Sequence, residues 1–195
     1  MLPIDQFFQS DAMFHRLYPQ ELHQQAGMHW TPLAIAQKAA AFLAAVPGTR
    51  ILDIGSGAGK FCLAAAYFQP NAFYTGVEQR AGLVSYARDA ARQLQMNQVS
   101  FINTNIDQVD FELYDHFYFF NAFHENIAKE YRIDEQLVYS EERYHRYHRY
   151  VYRQLEKKPA GTRLVSFHSA EPEIPATYHV VGTAENELLK YWIKI

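Results

Sequence analysis

The pattern of apolar and polar positions divides most of the chain into short apolar runs separated by longer segments with helical spacing. Apolar runs of strand length bounded by turn residues indicate buried β-strands, and apolar positions that recur every three or four residues indicate amphipathic helices. Their alternation indicates a largely parallel sheet, because each crossover helix returns the chain to the same end of the sheet. The predicted strands cover residues 51–54, 73–78, 99–102, 116–120, 163–168, 178–181 and 188–195.

The clearest helix start lies before the first strand. Thr31 is a good N-cap and Pro32 suits the first helical position, so we predict that a helix begins there. We assign residues 1–46 to an N-terminal helical segment, in which residues 24–31 form a candidate lid with Trp30 within reach of a ligand. Further helices are predicted over residues 5–18, 63–67, 81–96 and 140–156.

Three glycines, Gly55, Gly57 and Gly59, separate the first strand from the helix that follows it. Because they carry no Cβ, the backbone of this turn can come close to a ligand. A Walker phosphate loop is excluded, because its glycines are farther apart and Phe61 stands where a hydroxyl residue would hold magnesium. A dinucleotide fingerprint needs its third glycine where Lys60 stands, which weakens that interpretation without excluding it.

Two acidic residues complete the pattern: Asp53 precedes the glycines, and Glu78 ends the second predicted strand. The sequence Asp-x-Gly-x-Gly-x-Gly resembles motif I of the class I S-adenosylmethionine (SAM)-dependent methyltransferases. Glu78 resembles the acid with which that family holds the ribose hydroxyls. An ionised carboxylate accepts two hydrogen bonds from a vicinal diol, and charged acceptors make the stronger bonds. The resemblance implies a SAM-dependent methyltransferase with SAM as its cofactor.

The same resemblance implies which residues bind the cofactor. Asn105 takes the place where many members carry an acid that accepts a hydrogen bond from the adenine amino group, and Ile106 takes the place of the apolar residue that packs on adenine. Asn105 can accept through its amide oxygen, and Asp107 would take the role if the register slips. The implied cofactor-binding residues are Asp53, Gly55, Ser56, Gly57, Gly59, Glu78, Gln79, Asn105, Ile106 and Asn121.

The predicted strands and the resemblance together imply an α/β fold with a seven-stranded, mostly parallel sheet, helices on both faces and an antiparallel last strand. The two final strands fit the terminal antiparallel pair that the methyltransferase fold has and the dinucleotide fold lacks. We expect one methyltransferase-like domain over residues 1–195. Residues 127–158 exceed the length of a simple crossover helix, so we expect an inserted helical segment there, with Ser140 as a helix cap.

Substrate chemistry is expected at the carboxyl ends of the strands, where open α/β sheets bind ligands. The fourth strand ends in residues 121–126, which lack the Asn-Pro-Pro-Tyr/Phe motif of amino-methylating members. Residues 119–123 have a loose resemblance to the Asn-Asn-Phe stretch of Dot1-type lysine methyltransferases, which is a hint about lineage and does not establish a lysine substrate. No close-spaced ligand pair supports a metal site. The candidate catalytic residues are Asn121, His124, Glu125 and His168, with Phe123 shaping the acceptor channel.

Composition and charge narrow the choice of partner. The formal net charge of −3 argues against nucleic-acid binding driven by bulk electrostatics, so we favour a small-molecule or protein acceptor. The start of the chain lacks a signal peptide and no apolar run has the length of a membrane span, so we expect a cytoplasmic protein. Cys62 is predicted to be a buried packing residue, and His145, Arg146, His148 and Arg149 an exposed or half-exposed basic strip.

Two other functions remain compatible with these residues. The chain could bind SAM without transferring the methyl group, as a sensor or a partner subunit, since it lacks the Asn-Pro-Pro-Tyr/Phe motif and has Asn105 where many members carry an acid. It could also be a nicotinamide-dependent oxidoreductase, although Lys60 and the final strand pair argue against this function.

Overall fold

The computed structural model describes residues 3–169 and 171–195, and its centre is a sheet of seven strands. The strands are β1 (Arg50–Ile54), β2 (Phe73–Glu78), β3 (Val99–Asn103), β4 (His116–Phe120), β5 (Arg163–Phe167), β6 (Tyr178–Ala184) and β7 (Leu189–Lys194). They lie in the order β3-β2-β1-β4-β5-β7-β6. β7 runs antiparallel to β5 and β6, and the other neighbouring strands are parallel, which confirms the expected sheet with its reversed last strand.

β1 is the strand at which the order of the sheet reverses. The chain adds β2 and β3 on one side of β1 and then returns to place β4 and β5 on the other side, so β1 pairs with both β2 and β4. In an open α/β sheet, such a switch point opens a crevice at the carboxyl ends of the strands. The residues that follow Ile54, Glu78 and Phe120 therefore gather around one crevice.

Helices cover both faces of the sheet, as expected. The first face carries α4 (Leu33–Leu43), α5 (Lys60–Phe68) and α6 (Ala81–Gln93), and the second carries α7 (Glu141–Lys157). Alternate residues of β4 enter the two cores, because successive side chains of a strand point to opposite faces. Tyr118 stacks on Phe61 in the first core at a centroid distance of 3.7 Å, whereas Phe117 and Phe119 belong to the second.

Short helices precede α4, and they divide the predicted helical face of residues 5–18 into two pieces. These are α1 (Ile4–Phe7) and α2 (Asp11–His15), followed by a 3-10 helix (Gln20–Gln25) and α3 (Ala26–His29). The break occurs because the Ser10 hydroxyl caps a new helix. The segment packs on α5 and on the glycine turn: Phe8 stacks on Tyr67 at 3.9 Å, and the Tyr18 hydroxyl donates a hydrogen bond to the carbonyl of Ala58.

The prediction that Thr31 caps α4 was wrong. Pro32 occupies the N-cap position, and the N–H of Leu33 donates to Oδ1 of Asp11 at 3.0 Å. Thr31 is buried, and its hydroxyl shares a hydrogen bond with the hydroxyl of Tyr118. The side chain of Thr31 faces the sheet, so a carboxylate from α2 supplies the acceptor that the helix start requires.

The remaining boundaries lie close to the prediction. α6 ends before the predicted limit, since Gln95 adopts a φ of +56° that stops the helix. β6 extends past residue 181, because its pairing with β7 continues through a bulge between Val180 and Gly182. The predicted cap at Ser140 is confirmed, because its Oγ accepts a hydrogen bond from the N–H of Arg143 at 3.2 Å.

Gly59 is the glycine of the turn at which packing forbids a side chain. Its φ is +83°, and a Cβ there would lie 2.5 Å from Cζ of Phe101 and 2.9 Å from Cβ of Ala87. The missing side chain therefore allows the start of α5 to approach β3 and α6.

Replacing Gly59 by Ala is expected to lower the free energy of unfolding by about 2–5 kcal/mol. About 1–2 kcal/mol comes from the left-handed backbone and about 1–3 kcal/mol from overpacking. Gly161 is the matched control, because its φ is +86° and a Cβ there would meet no atom within 4 Å. Gly161→Ala should cost only the backbone part in urea unfolding. Equal losses in the two variants would contradict this account of the turn.

Candidate active site

A cavity of about 840 Å³, open to solvent, lies at the carboxyl ends of β1 to β4. The N-terminal segment closes one side through residues 25 and 28–30, which belong to the predicted lid. The predicted site residues that line this first cavity are Gly55, Gly57, Glu78, Gln79, Asn105, Ile106, Asn121, His124 and Glu125.

The glycine turn presents its backbone to the first cavity. Gly55 and Gly57 have φ values of +76° and +53°, which residues with a Cβ rarely adopt. A Cβ on Gly57 would meet no atom within 4 Å, so this face of the turn is open. The N–H of Gly57 donates to Oε2 of Glu78 at 3.2 Å and connects the turn to the end of β2.

Glu78 is a buried acid, with a relative exposure of 6%. Its Oε1 accepts a hydrogen bond from the N–H of Arg80 at 2.8 Å, and the Arg80 guanidinium lies 3.5 Å from the same atom. Burial raises the pKa of Glu78, while the hydrogen bonds from Arg80 and Gly57 and the charge of Arg80 act in the opposite direction. Each carboxylate oxygen of Glu78 accepts one hydrogen bond from a backbone N–H and can accept another from a ligand.

A second, smaller cavity of about 270 Å³ lies beside the glycine turn and is lined by Asp53, Ser56 and Lys60. Burial raises the pKa of Asp53 to about 7, although Cys62 donates a hydrogen bond to it at 3.5 Å. Cys62 is therefore buried, as predicted, and is also a hydrogen-bond donor. Lys60 is 4% exposed and its Nζ pairs with Asp11; burial lowers its pKa, and this partner raises it. The buried Oγ of Ser56 has no hydrogen-bond partner among the described residues.

The residues after β3 form the opposite wall of the first cavity. Ile106 is buried there, and Oδ1 of Asn105 accepts a hydrogen bond from the hydroxyl of Tyr147 at 3.3 Å. Asp107 does not line the cavity; its carboxylate pairs with Nε of Arg146 at 3.2 Å. The structure thus gives Asn105 and Ile106 the predicted register and directs Asp107 elsewhere.

The loops after β4 and β5 contain residues other than glycine in the left-handed region. The φ values are +40° for Asn121, +72° for Phe123 and +54° for His168. Such conformations are costly and cluster at functional sites, where the surrounding structure holds them. The N–H of Asn121 donates to the carbonyl of Phe167 at 3.2 Å, which ties the two loops together.

Glu125 and His124 both line the first cavity, and their side chains have different kinds of partner there. Glu125 binds Arg80 through two hydrogen bonds of 3.1 and 2.5 Å. This carboxylate is therefore an ion-pair partner in the structure, and proton transfer by it would require breaking the pair. His124 packs edge-on against the ring of Tyr131 at a centroid distance of 4.8 Å.

His168 lies in a third cavity of about 980 Å³, beside the first. Burial lowers the pKa of His168. The four predicted catalytic residues therefore do not meet in one cavity: His124 and Glu125 line the first, His168 lines the third, and Asn121 lines both. The other residues that line both cavities are Met28, Trp30, Phe120 and Tyr131.

Sequence reasoning missed two charged residues at these cavities. Lys60 entered the prediction only as a departure from the dinucleotide fingerprint, yet it lines the second and third cavities. Arg80 did not enter the prediction, although it is 7% exposed, lines the first cavity and contacts Glu78 and Glu125. The available clue was a charged residue two positions after the predicted cofactor-binding acid, Glu78.

The basic strip predicted on α7 is exposed or half-exposed, as expected, and Arg146 is among its exposed residues. His145 and Arg149 are exposed, whereas His148 packs against the rings of Tyr144 at 4.2 Å and Phe123 at 5.4 Å. Burial lowers the pKa of His148, so the ring is less easily protonated than a free histidine. His148 therefore belongs to the packing beside the first cavity.

Among residues 3–169 and 171–195, no group of three or more His, Cys, Asp or Glu side chains is arranged to hold a metal ion. Within the same residues, no helix has the length and apolar character that crossing a bilayer requires.

The buried Asp53 is expected to make stability depend on pH. Between about pH 4 and 7 the folded chain holds a proton at Asp53 that the unfolded chain has released, so the free energy of unfolding falls as pH rises through this window. Each pKa unit corresponds to about 1.4 kcal/mol. Asp53→Asn should reduce this fall in urea unfolding measured at pH 5 and pH 8.

Asp115 provides a control, because its effect on stability depends on pH in the opposite direction. A hydrogen bond from Arg50 lowers the pKa of Asp115, so its contribution is present at neutral pH and is lost as pH falls below about 4. Asp115→Asn should therefore lower stability at pH 8. An Asp53→Asn variant with the pH profile of the wild type would contradict the assignment of Asp53 as a neutral, buried acid.

A model of the methyltransferase domain family matches residues 45–176. No curated protein matches the chain. Among solved structures, the chain is similar to TrmN from Thermus thermophilus, with 16% identity, a TM-score of 0.63 and coverage of 94% of this chain and 53% of that one. It is also similar to an RNA methyltransferase from Salinibacter ruber in complex with S-adenosyl-L-homocysteine, with 16% identity, a TM-score of 0.57 and 91% coverage of both chains.

A mutant of MtNAS in complex with S-adenosylmethionine has 13% identity, a TM-score of 0.58 and coverage of 97% of this chain and 68% of that one. At these identities the similarity establishes the fold alone. The chain also spans only about half the length of TrmN.

The family model covers more than half of the chain and includes the glycine turn, Glu78 and the loop after β4. The strand order with its reversed last strand is that expected of the same family. The chain therefore belongs to the class I SAM-dependent methyltransferases, and its cofactor is S-adenosylmethionine.

Proposed function

We propose that the first cavity binds the nucleoside part of SAM, with Glu78 accepting hydrogen bonds from both ribose hydroxyls. The observation that carries this proposal is the position of the Glu78 carboxylate, which is held at the cavity wall by the N–H groups of Gly57 and Arg80. Ile106 would pack against adenine, and Asn105 would accept a hydrogen bond from the adenine amino group. Gln79 would contribute to the same end of the cavity.

The second cavity is the proposed site of the amino-acid end of the cofactor. Asp53 would accept a hydrogen bond from the α-ammonium group, whose positive charge favours ionisation of this carboxyl. Lys60 would offer its charge to the α-carboxylate group, and Ser56 adds an unsatisfied hydroxyl. Gly55 lines both this cavity and the first, so the ligand would pass over its backbone. Gly59 would serve the site indirectly, because its contacts are with Phe101 and Ala87.

The third cavity is the proposed acceptor site, because it adjoins the first at Asn121. When bound, SAM supplies an electrophilic methyl group that an acceptor takes by in-line displacement. The main contributions of the chain are to orient the acceptor and exclude water, which can supply up to about 7–11 kcal/mol when the orientation is good. His168 is the proposed general base for acceptors that must lose a proton, since its lowered pKa keeps the imidazole neutral near pH 7.

Other residues of the predicted site take supporting roles in this proposal. Asn121 and Phe123 shape the passage between the two cavities, and His124 borders the cofactor side of the passage. Residues 24–31 would act as a lid over the cofactor, because Gln25 and residues 28–30 line the first cavity. The whole of residues 1–195 would act as one methyltransferase domain, with residues 127–158 as the inserted segment.

The acceptor is proposed to be a small molecule or a protein group. Of the described residues that line the third cavity, Lys60 is the one Lys or Arg side chain, and it already pairs with Asp11. A polynucleotide acceptor normally requires several such side chains for its phosphates. The similarity to the Salinibacter ruber RNA methyltransferase makes RNA the competing acceptor to be tested.

The cofactor site is tested by thermal unfolding with SAM, S-adenosylhomocysteine or NAD. A ligand at a hundred times its dissociation constant adds about 2.7 kcal/mol of stability, so SAM and its product should raise the melting temperature of the wild type. Gly57→Arg should abolish the shift by filling the cavity, and Glu78→Ala should reduce it by removing the acceptor of the ribose hydroxyls. The exposed Glu112→Ala is the control and should respond like the wild type. Stabilisation by NAD alone would refute the proposed site.

The acceptor site is tested with SAM carrying a radiolabelled methyl group and separate fractions of small molecules, proteins and RNA. Label is expected in the small-molecule or protein fraction. His168→Asn should lower transfer by roughly 10²-fold or more, the effect of losing a general base, with unchanged affinity for S-adenosylhomocysteine. The matched control is His179→Asn, an exposed histidine on β6. Label in RNA alone, or equal activity of the two histidine variants, would contradict this proposal.

A further inference from the structure

Arg80 contacts acidic and hydroxyl groups from three separate parts of the chain. Its Nε donates to Oδ2 of Asp134 at 3.0 Å, and its two terminal nitrogens donate to the carboxylate of Glu125 at 3.1 and 2.5 Å. One of them also donates to the hydroxyl of Tyr139 at 2.9 Å. The guanidinium lies 3.5 Å from Oε1 of Glu78, the proposed ribose-binding acid. One buried side chain therefore joins the end of β2 to the loop after β4 and to the segment that follows it.

The charges around Arg80 are unequal in number. Three carboxylates, of Glu78, Glu125 and Asp134, share one guanidinium. A buried charge is stable only while it is paired and hydrogen-bonded, so these carboxylates depend on a common partner. Arg80 uses the planar fork of its guanidinium for Glu125 and still has Nε for Asp134, a combination that lysine cannot reproduce.

Residues 128–139, which we call the strap, have little regular structure of their own. The described strap contains one 3-10 turn, Lys129–Tyr131, and it is otherwise irregular. Within it, the hydroxyl of Tyr139 donates to the carbonyl of Asp134 at 2.6 Å, and Arg132 lies over the ring of Tyr139 at 4.5 Å. These contacts join Asp134 and Tyr139 into one unit, which Arg80 then binds. The position of the strap therefore depends strongly on Arg80.

The strap forms part of the proposed substrate sites. Tyr131 and Ile133 line the first cavity, and Tyr131 also lines the third. A displacement of the strap would open the wall that the two cavities share. Arg80 thus connects Glu78, in the wall of the first cavity, to the strap that encloses this cavity.

We propose that Arg80 is a positioning residue that couples the strap to Glu78, so that filling of the first cavity by the cofactor and closure of the strap form one equilibrium. This inference rests on the proposed function, because it requires SAM in the first cavity. Coupling between two such events is reciprocal: cofactor binding holds the strap closed, and a closed strap raises the affinity for the cofactor.

The inference is tested by hydrogen exchange of the strap and by calorimetric binding of S-adenosylhomocysteine. Asp134→Asn and Tyr139→Phe each weaken the attachment of the strap and leave the Arg80–Glu125 pair and Glu78 in place. Both variants should exchange faster in the strap and should bind S-adenosylhomocysteine at least about fivefold more weakly, the lower end of typical coupling. Arg80→Gln should show both effects most strongly.

Arg88→Gln is the control for a general loss of stability. Arg88 lies on α6, the helix that begins directly after Arg80, and donates to the carbonyl of Phe101, outside the three cavities. This variant should bind S-adenosylhomocysteine with the affinity of the wild type. The ligand should also slow hydrogen exchange of its strap as much as in the wild type. A merely structural role of Arg80 would lower stability without changing the ligand-dependent protection of the strap.

Three results would overturn the inference. Affinities of Asp134→Asn and Tyr139→Phe equal to that of the wild type would separate the strap from cofactor binding. The same conclusion would follow if S-adenosylhomocysteine did not slow hydrogen exchange of the strap in the wild type. Strap exchange in unliganded Arg80→Gln equal to that in Arg88→Gln would show that Arg80 does not hold the strap. If the wild type binds no S-adenosylhomocysteine, the proposed cofactor site fails and the coupling fails with it, but the unliganded comparison still measures the hold of Arg80 on the strap.

Discussion

The pairing of β1 with parallel strands on both sides is the constraint on which the rest of the molecule depends. A central parallel strand is covered on both faces, so most of its residues are apolar and polar groups collect at or near its end. Ile54 closes β1, and the glycine turn follows at once. β2 and β4 end at the same edge, which brings Glu78 and Asn121 to the same crevice. The site is therefore a consequence of strand order before any side chain adds its chemistry.

The buried charges of the site are each stabilised in a different way. Glu78 accepts hydrogen bonds from two backbone N–H groups and lies near Arg80. Lys60 pairs with Asp11 from the N-terminal segment, and Nε2 of His15 lies 3.4 Å from its Nζ. Asp53 has a thiol as its partner and is held close to neutrality by burial. These arrangements leave polar capacity directed at the cavities, so a ligand meets groups that are already oriented.

The sequence predicted those features whose cause is local. The strands, the glycine turn and the cap at Ser140 each depend on residues within a few positions of one another, and the structure has them where expected. The register of Asn105 and Ile106 at the cavity followed from the end of β3 in the same way. Local patterns also predicted the fold class, because the alternation of strands and helices leaves few arrangements of the sheet.

The features that sequence reasoning missed depend on residues that are distant along the chain. Thr31 had every local property of a cap, but a carboxylate from α2 made it unnecessary. Arg80 looks like an ordinary start of a helix until Asp134 and Tyr139 are brought beside it. His124 and His168 line different cavities, which meet at Asn121. The order of residues along the chain does not show which cavity each histidine lines.

One carboxylate oxygen of Asp11 makes two contacts, and both attach the N-terminal segment to helices of the core. The same Oδ1 accepts the hydrogen bond from Leu33 at the start of α4 and pairs with Lys60 at the start of α5. Two helices of the core thus obtain an essential partner from a short element near the beginning of the chain. An exchange of this segment between relatives would have to carry an acid at the equivalent place, or it would leave a helix end unsatisfied and a lysine buried without its counter-ion. The N-terminal segment therefore contributes to the stability of α4 and α5 through a single side chain.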